Sequence, residues 1–462
     1  MDIGQKIEPG QHGVVMGLGV SGRAMLRFLL NKEVEVSVSD RRIFKDLPEE
    51  DRDYLQKHNI PFEGGGHSRE FLSRGNFIAI SPGVPTDLPL LKEMRERHIP
   101  ILGELALAAP YLDECVVAVT GTNGKTTVTA LIGELLKASG KKVFVGGNIG
   151  TPLLNYLLSG EQAEILVLEL SSFQLESAGF FRPHIGVLLN VTPDHLDRHK
   201  SMINYAAAKM KMFVHQNADD KAIICSDDPM CQHIRELLKG QEIYCFGNPA
   251  SDCAAKGSNS ELTVSLQDRV DTYGLAETRL DSHTGLLNSC AAILAVSLLG
   301  CEKTDIEKGL KCFVPARHRL EHVRQREGVD YYNDSKATNT GAVFSALSSF
   351  SGGVILIAGG RDKGEEYAIL KELVHEKVRS LILIGEAADA IAAVMSDDLP
   401  VLRADSMEKA VSLAAQKAQP GDTVLLAPAC SSFDMFDNYG HRGDVFVRAV
   451  LALSDGDERA AR

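Results

Sequence analysis

The chain carries the string Ala118-Val-Thr-Gly-Thr-Asn-Gly-Lys-Thr-Thr127. The apolar run at 116–119 predicts a buried strand, Gly121 and Gly124 permit a tight loop, and 126–137 predicts a helix. Strand, glycine loop and helix together make a phosphate cradle. Backbone N–H groups and the helix N-terminus face the anion, Lys125 adds charge, and the Thr126 hydroxyl can hold Mg²⁺. The usual phosphate loop has four residues between its glycines, whereas two stand between Gly121 and Gly124. An ordinary strand-to-helix turn is the plain alternative; Lys-Thr at the helix start favours nucleotide.

Other polar constellations fall at predicted strand ends. Glu169 ends an apolar run and stands where a nucleotide site needs a Mg²⁺ ligand, with Leu-Ser-Ser-Phe-Gln174 behind it. Asn190-Val-Thr-Pro-Asp-His195-Leu-Asp-Arg-His199 could ligate a metal or orient water, or simply cap a helix with Asp194 or Asp197. His195 is the better candidate of its two histidines, being nearer the strand end. Tyr205 and Lys209 share a helix face, and by itself Lys209 reads as an ordinary exposed lysine. Near the N-terminus, Gly17-Leu-Gly19-Val-Ser-Gly22 and then Asp40 match a dinucleotide pattern, glycines for the turn and an acid for a ribose hydroxyl. Arg41 and Arg42 could meet phosphate, and Ser81-Pro-Gly83 is a binding loop or a stiff turn. This segment reads as a nucleotide-diphosphate site, with NAD as the competitor.

Further on, Asn333-Asp-Ser-Lys336-Ala-Thr338-Asn339 reads as a polar ligand loop rather than a solvated turn. Gly359-Gly-Arg-Asp-Lys363-Gly364 offers flexible backbone and two cations for phosphate or carboxylate. Ala427-Pro-Ala-Cys-Ser-Ser432-Phe-Asp434 closes the series; Cys430 has no histidine neighbour to support a thiol nucleophile.

Alternating strands and helices must position these residues. Strand and helix patterns recur in three segments, 1–103, 104–312 and 313–462, which predicts an α/β protein of three domains. The first and last are expected to be Rossmann-like and the central one ATPase-like with a mostly parallel sheet. Ligands in such sheets bind beyond the carboxyl ends of the strands. Segment 249–279 reads as a small antiparallel excursion or an exposed loop, and the charged last eight residues as frayed.

Composition bounds the rest. The chain has 462 residues, 44% hydrophobic and 24% charged, ordinary for a globular protein. A net charge of −13 argues against nucleic acid as the main partner, yet leaves room for a local basic pocket that binds small anions. No apolar run approaches a membrane span, and the N-terminus lacks a signal-peptide pattern, so a cytoplasmic location is expected. Nine scattered cysteines without a C-x-x-C pair argue against a disulfide scaffold or structural zinc; Cys115, Cys225 and Cys312 read as small core residues.

Gly-Thr-Asn-Gly-Lys-Thr, Glu-Leu-Ser-Ser-Phe-Gln, Asp-His-Leu-Asp-Arg, Tyr-x-x-x-Lys and Asn-Asp-Ser-Lys-Ala-Thr-Asn occur here in an order that resembles the Mur ligases. These are ATP-dependent amide-bond ligases of bacterial cell-wall peptidoglycan synthesis. With Gly-Leu-Gly-Val-Ser-Gly, Ser-Pro-Gly and Pro-Ala-Cys-Ser-Ser-Phe-Asp added, the set is most similar to the D-glutamate-adding branch, from about residue 13 to 446.

The resemblance implies that Val20, Ser21, Asp40, Arg41, Arg42, Ser81 and Gly83 bind the UDP part of UDP-N-acetylmuramoyl-L-alanine, with Asn148, Ser171 and His195 also meeting substrate. It implies ATP binding by Gly121, Thr122, Asn123, Gly124, Lys125, Thr126 and Thr127, with His318, Arg319, Asp334 and Lys336 closing over the nucleotide. Mg²⁺, two ions in all, would be held by Thr126, Glu169, His195 and Lys209, the last as a carbamate. D-Glutamate would bind at Thr338, Lys363, Ser432 and Tyr439. Catalysis falls to Lys125, His195, Lys209 and Lys336 in a monomer. One motif departs from the family's His-Asn-x-x-Asn on the adenine side: here His283-Thr284 stands five residues before Asn288, so backbone groups are expected to substitute. Competing classes are a folylpolyglutamate synthase, a sister Mur ligase, an NAD-dependent oxidoreductase and a non-catalytic nucleotide-binding regulator.

Overall fold

The computed structural model describes residues 4–250, 252–267, 269–362, 364–395 and 399–454; the expected frayed tail and Lys363 lie outside them. The fold is α/β, with three mostly parallel sheets. By compactness the chain forms two units. The first takes in the chain to Val191, Lys200–Tyr273 and Asn288–Cys312; the second takes in Thr192–His199, Gly274–Leu287 and the chain from Phe313 onward.

The first unit contains two sheets. In the N-terminal sheet the strands stand in the spatial order Phe62–Gly64, Glu35–Asp40, His12–Met16, Phe77–Ile80, Ile101–Leu102, all parallel. Val14 to Met16 and Phe77 to Ile80 are sealed from solvent on both faces, which is why they read as continuous apolar runs rather than alternating ones. The helix Val20–Asn31 connects His12–Met16 to Glu35–Asp40. Gly22 in its first turn is required by close packing: a Cβ there would lie 2.0 Å from the Gly17 carbonyl oxygen.

The central sheet has nine strands. Its core runs Lys221–Cys225, Ile185–Leu188, Cys115–Thr120, Ile165–Glu169, Val143–Gly147, all parallel. The helix Lys125–Ala138 buries Val128, Leu131, Ile132, Leu135 and Leu136. That spacing is one helical stripe, each fully buried side chain contributing about 1.5–3 kcal/mol of transfer free energy. Segment 249–279 resolves as the antiparallel excursion: Ala255–Ser258 pairs with Glu261–Leu266, and Arg269–Gly274 forms the sheet edge. Leu262 and Val264 are buried while Glu261 is exposed and Thr263 half-buried, the period-two pattern of a half-buried strand. The strand expected over 185–191 ends at Leu188, where the chain turns toward the phosphate loop.

The second unit holds a six-stranded sheet in the order Glu321–Arg326, Val329–Asn333, Thr423–Leu426, Val354–Gly359, Val378–Ile384, Val401–Arg403. Only the first pair is antiparallel. Helices cover both faces, giving one apolar cluster around Leu356, Leu381 and Leu425 and another around Ile355, Ile382 and Val424.

The cysteine expectation holds for Cys225, which is buried, but not for Cys312, which is exposed, nor fully for Cys115, which is half-buried. Cys312 ends the helix Lys303–Cys312, whose inward stripe is carried by Ile306, Gly309 and Leu310.

Candidate functional site

The phosphate loop is held from three sides. Asn190 Oδ1 accepts the N–H groups of Thr122 and Asn123 at 3.0 and 2.8 Å, and its Nδ2 donates to the Asn123 carbonyl at 3.1 Å. Gly124 has a left-handed backbone with φ of 84°, and a Cβ there would lie 2.6 Å from Asn288 Oδ1. Asn288, buried behind the loop, is therefore its neighbour and fixes the need for glycine. Lys125 Nζ donates to the carbonyls of Gly121 at 2.9 Å and Thr122 at 2.8 Å.

Lys209 contradicts the reading of an exposed lysine. It is 1% exposed, donates from Nζ to the same Gly121 carbonyl at 2.7 Å, and sits 4.4 Å from the ring centre of Tyr205. The helix Met202–Met210 turns Tyr205, Ala206, Ala208 and Lys209 inward together, so the lysine rides on an apolar face. The Tyr205 hydroxyl meets Thr122 Oγ1 at 3.2 Å.

Glu169, at a strand end as expected, is 2% exposed. Its Oε2 accepts from Thr126 Oγ1 at 2.7 Å and its Oε1 from Asn148 Nδ2 at 2.8 Å. A carboxylate and a hydroxyl are hard oxygen donors and fit Mg²⁺, which takes one or two carboxylates and fills its remaining positions with water and phosphate oxygens. Among the described residues no group of three or more His, Cys, Asp or Glu side chains converges to hold a metal ion.

A cavity of about 910 Å³ opens at the carboxyl ends of the N-terminal strands. Val20, Ser21, Asp40, Arg41, Arg42, Ser81, Gly83 and Asn148 all line it. Asp40 is not disposed as expected for a ribose-binding acid. Its Oδ1 accepts from Arg42 N and Nε, and its Oδ2 from Leu18 N and Arg42 Nη2, at 2.7–2.9 Å. Burial alone would raise its pKa, but the bonds from Arg42 and the Leu18 N–H outweigh it and bring it down to about 2. Asp40 thus ties the glycine loop to Arg42. The Ser171 hydroxyl caps the short helix Ser172–Leu175 in a capping box with Gln174, and Gln174 lines the cavity.

In the second unit the structure brings His318, Asp334, Lys336 and Tyr439 together. Lys336 Nζ stands 3.8 Å from the Tyr439 ring centre, a cation–π contact, and the Lys336 N–H donates to the His318 carbonyl at 3.1 Å. His318 Nδ1 meets Asn333 Nδ2 at 2.8 Å, and burial lowers its pKa. Asp334 is pushed up to about 6 by burial, against the Leu320 N–H and the charge of Arg319. The 333–339 stretch is no solvated turn, since Asn333, Ser335 and Asn339 are buried. Ser432 is buried, and Thr338, half-buried, donates its N–H to the Lys336 carbonyl. His195, also in this unit, has φ of 55° and its N–H donates to Asp194 Oδ1 at 2.9 Å. His283 is exposed on the first turn of the helix His283–Leu298. Cys430 is buried against the Tyr367 hydroxyl at 3.2 Å with its thiol pushed up to about 12 by burial, which suits a core residue and not a nucleophile.

A glycine phosphate loop backed by a buried carboxylate, with a nucleotide-sized cavity on a Rossmann-like sheet, defines a nucleotide-using α/β enzyme. The chain belongs to the Mur ligase family. Residues 11–103 match the Mur ligase MurD-like N-terminal domain, 119–296 the Mur ligase middle domain, and 318–430 the Mur ligase glutamate ligase domain. A protein of Desulfotalea psychrophila named UDP-N-acetylmuramoylalanine--D-glutamate ligase is 50% identical over 442 residues, covering 96% of each chain. One of the same name from Koribacter versatilis is 40% identical over 459 residues, covering 97% of this chain and 99% of its own. Among solved structures, MurF ligase from Thermotoga maritima in complex with ADP shares the fold at a TM-score of 0.59 and 19% identity, covering 96% of this chain and 95% of its own. UDP-N-acetylmuramate-alanine ligase MurC from the same organism does so at 0.57 and 18%, covering 96% and 99%.

Proposed function

We propose that the chain is an ATP-dependent ligase that joins D-glutamate to the L-alanine carboxylate of UDP-N-acetylmuramoyl-L-alanine in peptidoglycan precursor synthesis. The observation that carries the reading is 50% identity over 96% of both chains with a ligase of that name. The phosphate loop and the N-terminal cavity supply geometry that suits it.

A carboxylate is a poor electrophile because oxide is a poor leaving group. The substrate carboxylate oxygen attacks the γ-phosphorus of ATP, ADP leaves, and an acyl phosphate results. The D-glutamate amine, having lost one proton to solvent, then attacks the acyl carbon; the tetrahedral adduct gives up its second proton as the C–O bond to phosphate breaks, leaving the amide and hydrogen phosphate. Phosphoryl transfer asks chiefly for positioning and charge neutralisation. The loop N–H groups cradle the phosphates and Lys125 turns from its own loop's carbonyls to the phosphate oxygens. Glu169 and Thr126 would hold Mg²⁺, with His195 and a carbamylated Lys209 serving a second ion; bound Mg²⁺ neutralises the phosphate oxygens and the developing oxyanion. Carbamylation turns Lys209 from a cation into an anion, and its burial beside Gly121 places it on the floor of the loop. His318, Arg319, Asp334 and Lys336 serve the nucleotide, and Asn288 lies beside the loop. Thr338, Lys363, Ser432 and Tyr439 serve D-glutamate. Val20, Ser21, Arg41, Arg42, Ser81 and Gly83 hold UDP, with Asp40 fixing the loop they belong to.

Domain limits at 103/104 and 312/313, a monomeric state and a cytoplasmic location complete the reading; no helix among the described residues is long and apolar enough to cross a membrane. The test is phosphate release from Mg²⁺-ATP with UDP-N-acetylmuramoyl-L-alanine across D-Glu, L-Glu, L-Ala, L-Lys and meso-diaminopimelate. Release with D-Glu alone, with the amide product, is expected. Release only with another amino acid would move the chain to a sister activity.

A further inference from the structure

The N-terminal cavity has a direction. Its phosphate end is the loop 17–22 at the start of the helix Val20–Asn31, where backbone N–H groups converge. Outward in the sheet come the carboxyl end of Glu35–Asp40 and then that of Phe62–Gly64, the edge strand. A nucleotide laid across an open parallel sheet of this kind runs from the phosphate loop, past the end of the second strand, toward that edge. His67 follows the edge strand and lines the cavity. Asp40, with four donors already on its two oxygens, has no acceptor capacity left for the nucleoside.

The bonding around His67 fixes its tautomer. Ser39 Oγ lies 2.9 Å from Glu63 Oε2, 3.3 Å from the Gly66 carbonyl and 2.7 Å from His67 Nδ1. Its single proton has two neighbours that can only accept, and a serine oxygen that turned lone pairs to both would be repelled by both. Ser39 therefore donates to Glu63 and accepts from His67 Nδ1–H. Glu63 is an anion suited to this: burial raises its pKa, but bonds from the Ser68 hydroxyl and N–H and from Ser39 outweigh that and leave it below the ordinary carboxylate range. Burial lowers the His67 pKa against the pull of Glu63 and Asp40, so the ring is neutral. With Nδ1 carrying the proton, Nε2 is an acceptor.

We propose that His67 is the base-reading residue of this cavity, its Nε2 accepting the N3–H of uracil, with Glu63 and Ser39 as positioning residues that hold the tautomer. This rests on the UDP-substrate reading. Uracil presents a donor at N3; cytosine presents a lone pair there, which would face the lone pair of Nε2. The same relay thus favours one pyrimidine and repels the other.

Calorimetric titration of the full chain with UDP and with CDP tests this on the wild type, His67→Phe and Ser39→Ala, with the melting transition of each variant read alongside. The wild type is expected to prefer UDP. His67→Phe is expected to weaken UDP about tenfold, the scale of one lost hydrogen bond, while CDP changes little and the preference collapses. Ser39→Ala, which keeps the imidazole and frees its tautomer, is expected to narrow the preference in the same direction. Folded His67→Phe that binds UDP with the wild-type UDP:CDP ratio would overturn the inference alone. A wild type that binds no UDP would overturn the reading of the cavity and the inference with it.

Discussion

Lys125 Nζ and Lys209 Nζ donate to one oxygen, the carbonyl of Gly121, at 2.9 and 2.7 Å. Before Lys209 is carbamylated, two ammonium groups sharing an acceptor repel each other, and either carbamylation or a polyanion beside the loop relieves that repulsion. Lys125 is the half-buried member and lies at the helix start, where its Nζ can exchange loop carbonyls for phosphate; Lys209 is buried. Lys125→Ala is expected to lower kcat by at least about a hundredfold, the scale of one lost electrostatic contact to a transition state. UDP affinity should stay within about twofold, because the cavity is lined by other residues. Phosphate release and calorimetry separate the two, and equal losses in both would refute the assignment.

Gly124→Ala tests the loop itself. The added methyl would meet Asn288 Oδ1 at 2.6 Å, and φ of 84° is costly for any residue with a Cβ. We expect a destabilisation of roughly 1–2 kcal/mol from the backbone alone. ATP-analogue binding should weaken more than stability does. Adding Asn288→Ala should relieve the contact but not the backbone cost, so only partial recovery in a thermal-shift assay is expected.

How much of this could be read from residues alone depends on sequence distance. The phosphate loop was legible because its glycines, lysine and threonine are contiguous and sit between a strand and a helix that announce themselves. The clamp on that loop was not: Asn190 reaches Thr122 and Asn123 across nearly seventy positions. A lone asparagine at a strand end carries no signal of its own. Lys209 failed for a related reason, since a lysine four residues after a tyrosine is solvated on most helices, and only the packing of Met202–Met210 buries it. Spacing marks Asp40 as a candidate acid, but its saturation by Arg42 depends on side-chain geometry that spacing does not encode.

Asp40→Asn has a pH signature. The folded-state pKa of about 2 lies below the ordinary aspartate value, so the carboxylate contributes stability above about pH 4 that is lost as the pH falls toward 2. Allowing for the exposure of its partner Arg42, the loss at pH 7 should be roughly 1–2 kcal/mol. Denaturant unfolding of wild type and variant should converge as the pH is lowered through this window. A gap that stayed constant down to pH 2.5 would show that the charge is not its source.

Glu104 should behave in the opposite sense. It is 2% exposed, its Oε1 accepts the Leu154 N–H at 3.2 Å, and burial raises its pKa against that bond and the Ser21 hydroxyl. A carboxyl with a raised folded pKa costs stability as the pH climbs above its unfolded value. Glu104→Gln, neutral and nearly isosteric, is therefore expected to melt above the wild type at pH 8 and to lose that advantage toward pH 5. A variant that melts lower at pH 8 would mean that the anion is wanted there.

Arg442 is the final case. It is fully buried, on the inward side of the helix Tyr439–Leu451, and its fork spans two loops. Nε donates to Ser335 Oγ at 3.0 Å, Nη2 to the Ser335 and Cys430 carbonyls at 2.9 and 3.1 Å, and Nη1 to the Ser431 carbonyl at 3.2 Å. These loops carry Lys336 and Ser432. Burial pulls the Arg442 pKa down to about 10, far above any working pH, so the charge persists and the carbonyls solvate it. Lysine cannot present donors in that planar fork. Arg442→Lys should therefore cost about 3–5 kcal/mol, as breaking a buried charged network does. In the fraction that remains folded, KM for D-glutamate should rise while UDP affinity is unchanged. A lysine variant with wild-type stability and an unaltered KM would show that the two loops hold their places without it.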